Sequence, residues 1–338
     1  MLRLPKFELI EAHTYHEAAS LLRAHGAGEL DPARGTPSLR VMTVAGGTDL
    51  FPNMKRRQFT PEVLVSLQRV DGATAVGVNG ALHLGAGVTL ATIASHPAIR
   101  ERWTALAEGA FAVSTPQLRN AGTIGGNLCL DTRCNWYDQS LFWRSAEGFC
   151  MKTHPEVVCR VAPSSPRCLA VASADTVPAL LALGASVRIE GTGGGRDVAV
   201  ADLYQEDGIR FLGIGRDEVV AGVTLPDTTG WRSTYLKLRD RGSFDFPIVG
   251  IAAAVRWDGG VVAEARVAIT AVSSRATLVE GAAAALVGSP LGDDAIAAAA
   301  DAVHKAARPM DNTSGTIPQR KRTARVFAER VLTSLRPH

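Results

Sequence analysis

Four of the chain's five cysteines, Cys134, Cys150, Cys159 and Cys168, fall within 35 residues, spaced C-x15-C-x8-C-x8-C. That stretch shows little regular hydrophobic periodicity, so neither a helix nor a strand pattern explains it. In a reducing compartment, clustered thiols more often bind metal than form disulfides, and five is an odd number. Four thiolates are the ligand set of a cubane iron–sulfur cluster or of a structural zinc. Buried inert thiols are the alternative, which clustering disfavours. Cys129, five residues before Cys134, is read as a bystander. Just upstream lies Gly122-Thr123-Ile124-Gly125-Gly126-Asn127, a glycine turn whose N–H groups are free to point at one anion, such as a diphosphate. Two redox centres in one polypeptide are the expectation.

The bulk properties exclude other classes. A chain of 338 residues has room for two or three domains and a sizeable core. The formal net charge of +3 implies no general attraction to nucleic acid or to a membrane surface. The most apolar stretch, residues 169–187, carries Asp175 and Pro178 and reads as buried strand and helix, not a membrane span. No apolar signal-like run follows Met1-Leu2-Arg3-Leu4-Pro5-Lys6, so the cytoplasm is the expected compartment.

Along the chain, Thr14 and Glu17 form a T-x-x-E capping signal before an apolar face of Tyr15, Ala18, Ala19 and Leu22. Gly26 and Gly28 end that helix, and polar sequence at 27–38 follows. Strands are expected at 40–45 and 62–67, then a hairpin with arms 74–78 and 81–86 turning at Asn79-Gly80. Residues 89–110 read as a helix in two pieces broken at Pro97. A short helix at 177–183 has Pro178 in its first turn, and a strand follows at 186–190. Gly191-Thr192-Gly193-Gly194-Gly195 reads as a flexible turn with no helix start behind it. The last third predicts strands at 234–238, 248–257 and 261–270, and helices at 276–287, 294–306 and 319–335. The last helix carries a stripe of Ala324, Phe327, Ala328, Val331, Leu332 and Leu335. Strands followed by helices predict an α+β unit with helices on one sheet face. Domains of 1–60, 61–227 and 228–338 result, with the cysteine insertion at about 128–172.

A second glycine loop, Ala45-Gly46-Gly47-Thr48-Asp49-Leu50, closes the strand at 40–45. Glycines let backbone approach a diphosphate closely, and Thr48 and Thr123 add hydroxyl donors. Either loop alone reads more simply as a glycine-bent turn between strands; the pair points to a diphosphate. No G-x-G-x-x-G follows a strand and no G-x-x-x-x-G-K-[ST] exists, so neither a Rossmann nor a P-loop site is supported.

These residues resemble those of a known family. Ala45 to Leu50, then Pro52 and Met54-Lys55, is similar to the first FAD loop of the flavin subunits of molybdenum hydroxylases, whose members include xanthine dehydrogenase and aerobic carbon monoxide dehydrogenase. Residues 119–127 resemble their second loop nearly letter for letter, and Ser173-Ala174-Asp175-Thr176-Val177-Pro178 resembles the segment whose Asp holds the FAD ribose. The resemblance covers essentially the whole chain. It implies a two-part FAD-binding domain followed by a C-terminal antiparallel sheet covered by helices. Ala45, Gly46, Gly47, Thr48, Asp49 and Leu50 would wrap the diphosphate from one side, and Gly122, Thr123, Gly125, Gly126 and Asn127 from the other. Asp175 would accept from ribose hydroxyls, and Lys237 would sit near the flavin ring, stabilising negative charge on reduced flavin. Without the resemblance, Lys237 is a solvated strand lysine.

In most members only a handful of residues separate the Asn of the second loop from the ribose Asp; here Asn127 and Asp175 are 48 positions apart. That insertion, with Asp131-Thr132-Arg133-Cys134, Trp143-Arg144 and Arg167-Cys168, resembles the β subunit of 4-hydroxybenzoyl-CoA reductase, which carries a 4Fe–4S cluster there. The resemblance implies Cys134, Cys150, Cys159 and Cys168 as ligands. Zinc sites more often use paired C-x2-C knuckles, and none exists here, so iron–sulfur is favoured over zinc. His154 is a weaker candidate ligand, because four cysteines complete the set. Trp136, Tyr137, Phe142, Trp143 and Phe149 would shield the cluster or form a small satellite core. The implied chain is the FAD and 4Fe–4S subunit of a molybdenum complex. Its partners would be a large molybdenum-cofactor subunit, a small 2Fe–2S subunit and a ferredoxin-like carrier. A xanthine dehydrogenase-type hydroxylase sending electrons outward is the alternative, and a zinc-stapled scaffold without redox function the lesser one.

Overall fold

The computed structural model describes residues 2–27 and 40–337. From residue 28 on, the polar stretch read at 27–38 lies outside the described residues. Three sheets organise the described residues. In the first, β1 (Glu8–Glu11), β2 (Val41–Val44) and β3 (Val63–Ser66) are parallel, in the order β1-β3-β2. All four residues of β3 are buried, as a central parallel strand requires.

The second sheet holds β4 (Val76–Asn79), β5 (Ala81–Gly85), β6 (Ser186–Gly191), β7 (Gly194–Ala199) and β8 (Val219–Leu225), in the order β4-β5-β8-β6-β7 and antiparallel throughout. The expected hairpin turns at Gly80, whose φ is +92°, and pairs Asn79 with Ala81. That is one residue tighter than a type I′ loop. The glycine run at 191–195 is the turn of a second hairpin, β6–β7.

The third sheet, β12-β11-β10-β9, comprises β9 (Trp231–Leu238), β10 (Val249–Asp258), β11 (Val261–Thr270) and β12 (Thr277–Leu278), all antiparallel. The period-2 pattern of β10 explains its position. Ile251, Ala253 and Val255 face a core built with the helices Glu280–Leu286, Asp293–Ala306 and Ile317–Ser334. Ala252 and Ala254 face the central core of the chain, where alanine lets other elements approach closely. Each large aliphatic side chain buried this way contributes roughly 1.5–3 kcal/mol. The final helix starts where its sequence says: Thr316 and Gln319 form a reciprocal capping box. Mixed α and β structure with a helix-covered antiparallel sheet at the C-terminal end is therefore what the chain adopts.

One further difference concerns local structure. Residues 90–112 form three helices, Leu90–Ser95, Pro97–Arg102 and Thr104–Ala112, rather than two. The second break is at Trp103, whose fully buried indole N–H donates to the Pro226 carbonyl at 3.0 Å. That bond fixes the ring, and the backbone leaves the helix at Trp103, where φ is −120° and ψ 50°. No described helix is long and apolar enough to cross a membrane.

A cavity between two glycine loops

The first glycine loop leaves β2, the second caps the helix Ile124–Leu128, and the two meet over one cavity of about 1250 Å³. Ligand pockets usually measure roughly 300–1000 Å³, so this one suits an extended ligand. Seven Lys and Arg line it against five Asp and Glu, a balance that favours an anion. Ala45, Gly46, Gly47, Thr48, Asp49, Leu50, Gly122, Thr123, Gly125, Gly126, Asn127 and Asp175 all line it. Lys237 does not.

The glycines have different duties. A Cβ on Gly46 would stand 1.8 Å from the Ala121 carbonyl oxygen, so only glycine lets the loops touch. Gly47 has φ +68°, a conformation that glycine adopts without strain. The N–H groups of Gly46, Gly47, Thr48 and Asp49 have no acceptor among the described residues, which leaves them for an anion in the cavity. The second loop differs from the expected nest. Ile124 N–H donates to Val88, Gly125 N–H to Ala86, Gly126 N–H to Thr123 Oγ1 and Asn127 N–H to the Thr123 carbonyl. What this loop offers is the Thr123 N–H, which has no acceptor among the described residues, the Thr123 hydroxyl proton, and the bare Cα of Gly126, where an added Cβ would meet only Thr123 Oγ1 within 4 Å. Asn127 Oδ1 accepts from Thr176 N–H and Oγ1 at 3.3 and 2.6 Å, leaving its NH₂ as the donor facing the cavity.

Asp175 reaches the cavity wall with both oxygens engaged. Oδ1 accepts from the Tyr235 hydroxyl at 2.7 Å and Oδ2 from Lys237 Nζ at 2.8 Å. Lys237 Nζ also donates to the Ala112 and Asp245 carbonyls at 3.0 and 2.8 Å, so its three N–H donors are in use. Two residues away, Ser173 is buried, lines the cavity and has a hydroxyl with no partner. A buried hydroxyl left without a bond is costly, which points to a ligand partner. Free amides, a bare glycine and an orphaned hydroxyl around a cationic cavity fit a dinucleotide such as FAD.

The cysteine segment forms the neighbouring wall. It is a loop closed at its base by paired backbone bonds between Arg133 and Val171, 2.8 Å each way. Cys134 and Cys168 sit just inside that stem. All four thiols are buried. Desolvation pushes Cys134 up to about 12, and charge on Cys168 or Cys150 would raise it further. Burial likewise brings Cys168 to about 11, with Cys159 and Cys150 acting in the same sense and the Lys152 cation opposing. Cys134 thus has Cys168 and Cys150 as charged neighbours, and Cys168 has Cys159 and Cys150. The Ala170 N–H donates to Cys168 Sγ at 3.5 Å, and Trp136 and Tyr137 amides serve Cys134. A single zinc needs its thiolates about 3.8 Å apart. Among the described residues no three His, Cys, Asp or Glu are gathered to hold one ion. In a cubane each thiolate binds its own iron, so the sulfurs stand wider. Cys129, half-buried, is desolvated to about 12 and belongs to the main core, not to this group.

Several contacts carry no sequence signal: the Ser173 hydroxyl, the Arg133–Asp49 ion pair, and Gly208, where a Cβ would come within 2.7 Å of Cys168 Sγ. Only the arrangement in space shows them.

The fold and site define a protein that holds a large anionic cofactor between two backbone loops. Comparison with known proteins makes this specific. Residues 5–228 match the FAD binding domain in molybdopterin dehydrogenase, and 233–335 match the CO dehydrogenase flavoprotein C-terminal domain. The carbon monoxide dehydrogenase medium chain of Hydrogenophaga pseudoflava is 27% identical over 332 residues, covering 97% of this chain and 96% of that one. The aldehyde oxidoreductase FAD-binding subunit PaoB of Escherichia coli is 29% identical over 303 residues, covering 85% of this chain and 90% of its own. A solved structure of the Hydrogenophaga pseudoflava carbon monoxide dehydrogenase superposes with a TM-score of 0.79 at 25% identity, covering 98% of each chain. The chain belongs to the family of FAD-binding medium subunits of the molybdenum hydroxylases and is an oxidoreductase subunit.

Proposed function

We propose that this chain holds FAD between its glycine loops and a 4Fe–4S cluster on Cys134, Cys150, Cys159 and Cys168. It would act as the electron-transfer subunit of a cytoplasmic molybdenum complex similar to 4-hydroxybenzoyl-CoA reductase. FAD exchanges one or two electrons and an iron–sulfur cluster one at a time, so a chain with both couples the two regimes. The partners are a large molybdenum-cofactor subunit, a small 2Fe–2S subunit and a ferredoxin-like carrier. The domain division at about residues 60 and 228 belongs to the same reading.

The observation that carries the cluster is the poverty of the insertion's own core. Between Arg133 and Val171 it has one helix, Leu141–Glu147, and no strand. Its apolar cluster consists of Cys134, Tyr137, Cys168 and Ala170, with four partly buried neighbours. Ordering each residue's backbone costs roughly 1–2 kcal/mol, and small cores of this kind are usually stapled by metal or disulfide. For the flavin, the free amides of residues 46–49 supply the diphosphate donors, and Asn127 and Ser173 the polar contacts nearby. Asp175 orients Tyr235 and Lys237, and Lys237 in turn fixes the carbonyls of Ala112 and Asp245 beside the flavin site.

Electron flow outward, from an oxidised substrate, is the second reading, and the names of the relatives, dehydrogenases and an aldehyde oxidoreductase, favour it. The test is composition followed by titration. Anaerobically purified chain should release FAD and contain about four irons and four sulfides. Reconstituted with its partner subunits, the complex should take electrons from reduced ferredoxin; rapid reduction of its flavin by an oxidisable substrate supports the outward reading instead. A chain with flavin but no iron sinks the cluster assignment and leaves the flavin assignment standing.

A further inference from the structure

Arg133 belongs to both sites at once. Its backbone N–H and C=O pair with Val171 to close the stem of the cysteine loop, one residue before Cys134. Its side chain forms an ion pair with Asp49, at the end of the first glycine loop. The guanidinium is 4% exposed, lies 3.4 Å from Asp138 and Asn53 oxygens, and is covered by the Phe246 ring at 4.6 Å. Asp49 Oδ2 in turn accepts from Asn53 at 2.8 Å, so the loop's carboxylate is held on both oxygens. Burial raises the Asp49 carboxyl, with Arg133 as the main opposing influence. Without that cation a half-buried carboxylate would face Asp131 and Asp138 alone.

The unclaimed amides of the first loop, residues 46–49, end at this carboxylate. Their direction depends on where Asp49 is anchored, and Asp49 is anchored to the stem of the cysteine loop. We propose that Arg133 is a positioning residue that couples the two centres, so that FAD binds tightly only when the cysteine loop is closed. The proposal rests on the reading that the four cysteines bind the cluster, and it contradicts the simpler expectation that the two sites act independently.

The test uses the full chain and two readouts, FAD affinity by quenching of flavin fluorescence and iron content by assay. In the first arm, Arg133→Gln and Asp49→Asn each weaken FAD binding by about tenfold, while iron content stays at the wild-type value. Arg133→Lys keeps the charge but not the planar fork and recovers part of the loss. The double variant loses no more than either single one, because the two residues act as one unit. Unchanged affinity in Arg133→Gln, or losses that add in the double variant, overturns the clamp. If Arg133→Gln fails to fold, Asp49→Asn and Arg133→Lys decide the question. In the second arm, Cys168→Ser removes iron and weakens FAD by a comparable factor. Wild-type FAD affinity in an iron-free Cys168→Ser chain overturns the coupling. Absence of iron from the wild-type chain sinks the cluster reading and with it the coupling, while the first arm still decides the clamp.

Discussion

The contrast between Gly46 and Gly126 yields a prediction with opposite signs. Replacing Gly46 by alanine puts a Cβ 1.8 Å from the Ala121 carbonyl oxygen and 2.5 Å from its carbon. Moving from 1.8 Å to the 3.4 Å of ordinary contact requires the loops to part by about 1.6 Å, and the obstacle is backbone with no rotamer to change. Overpacking of this kind costs about 1–3 kcal/mol. The apo chain should melt several degrees lower, at about 2–4 °C per kcal/mol, and FAD should bind at least about tenfold more weakly. Gly126→Ala meets only Thr123 Oγ1, at 3.1 Å, and otherwise points into the cavity from a helix. Relative to glycine, alanine in a helix gains about 0.5–1 kcal/mol, so the apo chain should melt no lower than wild type. Its new methyl group stands where the cofactor would lie, so FAD affinity should fall all the same. Gly193→Ala, with nothing within 4 Å, is the control that changes neither. Differential scanning calorimetry of apo chain and fluorescence titration with FAD give both axes. If Gly126→Ala binds FAD as wild type does, the second loop does not cradle the cofactor. If Gly46→Ala is silent on both axes, the account of how the loops meet is wrong.

Other substitutions separate roles that the geometry assigns. Lys237→Met strands the buried Asp175 carboxylate and should destabilise the apo chain by about 3–5 kcal/mol, seen as a lower melting temperature; an unchanged melt with a shifted flavin potential would instead place the lysine's role at the flavin ring. Ser173→Ala should weaken FAD by about fivefold to tenfold, the value of one hydrogen bond, without lowering apo stability, since the hydroxyl has no protein partner; equal affinity removes it from the site. Gly208→Ala pushes a methyl group to 2.7 Å from Cys168 Sγ and 2.8 Å from the Ala170 nitrogen, and should lower iron content while apo chain still binds some FAD. Cys129→Ser should leave iron and flavin content unchanged; loss of iron would add a fifth thiol to the ligand question.

Legibility of the sequence followed burial. The helix Tyr15–Ala24 starts at Thr14 because the capping signal is local, although Glu17 reaches the His13 N–H and not that of Thr14 itself. The stripe Ala324 to Leu335 was visible because the last helix buries one face on β10. Elements with little buried surface left no such trace. β1, Glu-Leu-Ile-Glu, is an exposed edge with no fully buried side chain, and β7 begins Gly-Gly-Arg-Asp, exposed throughout. β8 carries no clear strand pattern for another reason. Gly222 interrupts its Val and Leu pattern, and the glycine is there because a Cβ would stand 3.0 Å from the Leu84 carbonyl on β5. At the cavity, the loop residues are legible through the family resemblance and not from composition alone, since Gly191-Thr192-Gly193-Gly194-Gly195 has the same letters and is only a hairpin turn. Arg133 could not, since its partner Asp49 lies 84 positions away and neither residue is unusual by itself.

The position of the insertion follows from a constraint in the cavity wall. Asn127 and Asp175, its flanking residues, both line the cavity, and Asn127 Oδ1 is bonded to Thr176, next to Asp175. The two ends are thus already joined by side-chain hydrogen bonds, independent of what lies between them. Lengthening a loop whose ends are pinned adds little closure entropy, about 0.6 kcal/mol per doubling. A long segment can therefore be accommodated here without parting Asn127 from Thr176. The same pinning forces whatever the segment carries to lie against the cofactor wall. Asp131, Arg133, Tyr137, Lys152 and Thr153 line the cavity although none belongs to a glycine loop. Asn312 braces the far side of the stem, its carbonyl accepting from the Asn135 N–H at 2.8 Å and its amide donating to the Leu169 carbonyl at 2.7 Å. A second redox group built at any other surface loop would need its own route to the flavin. Built between Asn127 and Asp175, it starts beside the flavin cavity by topology, and the stem at Arg133 makes that adjacency rigid.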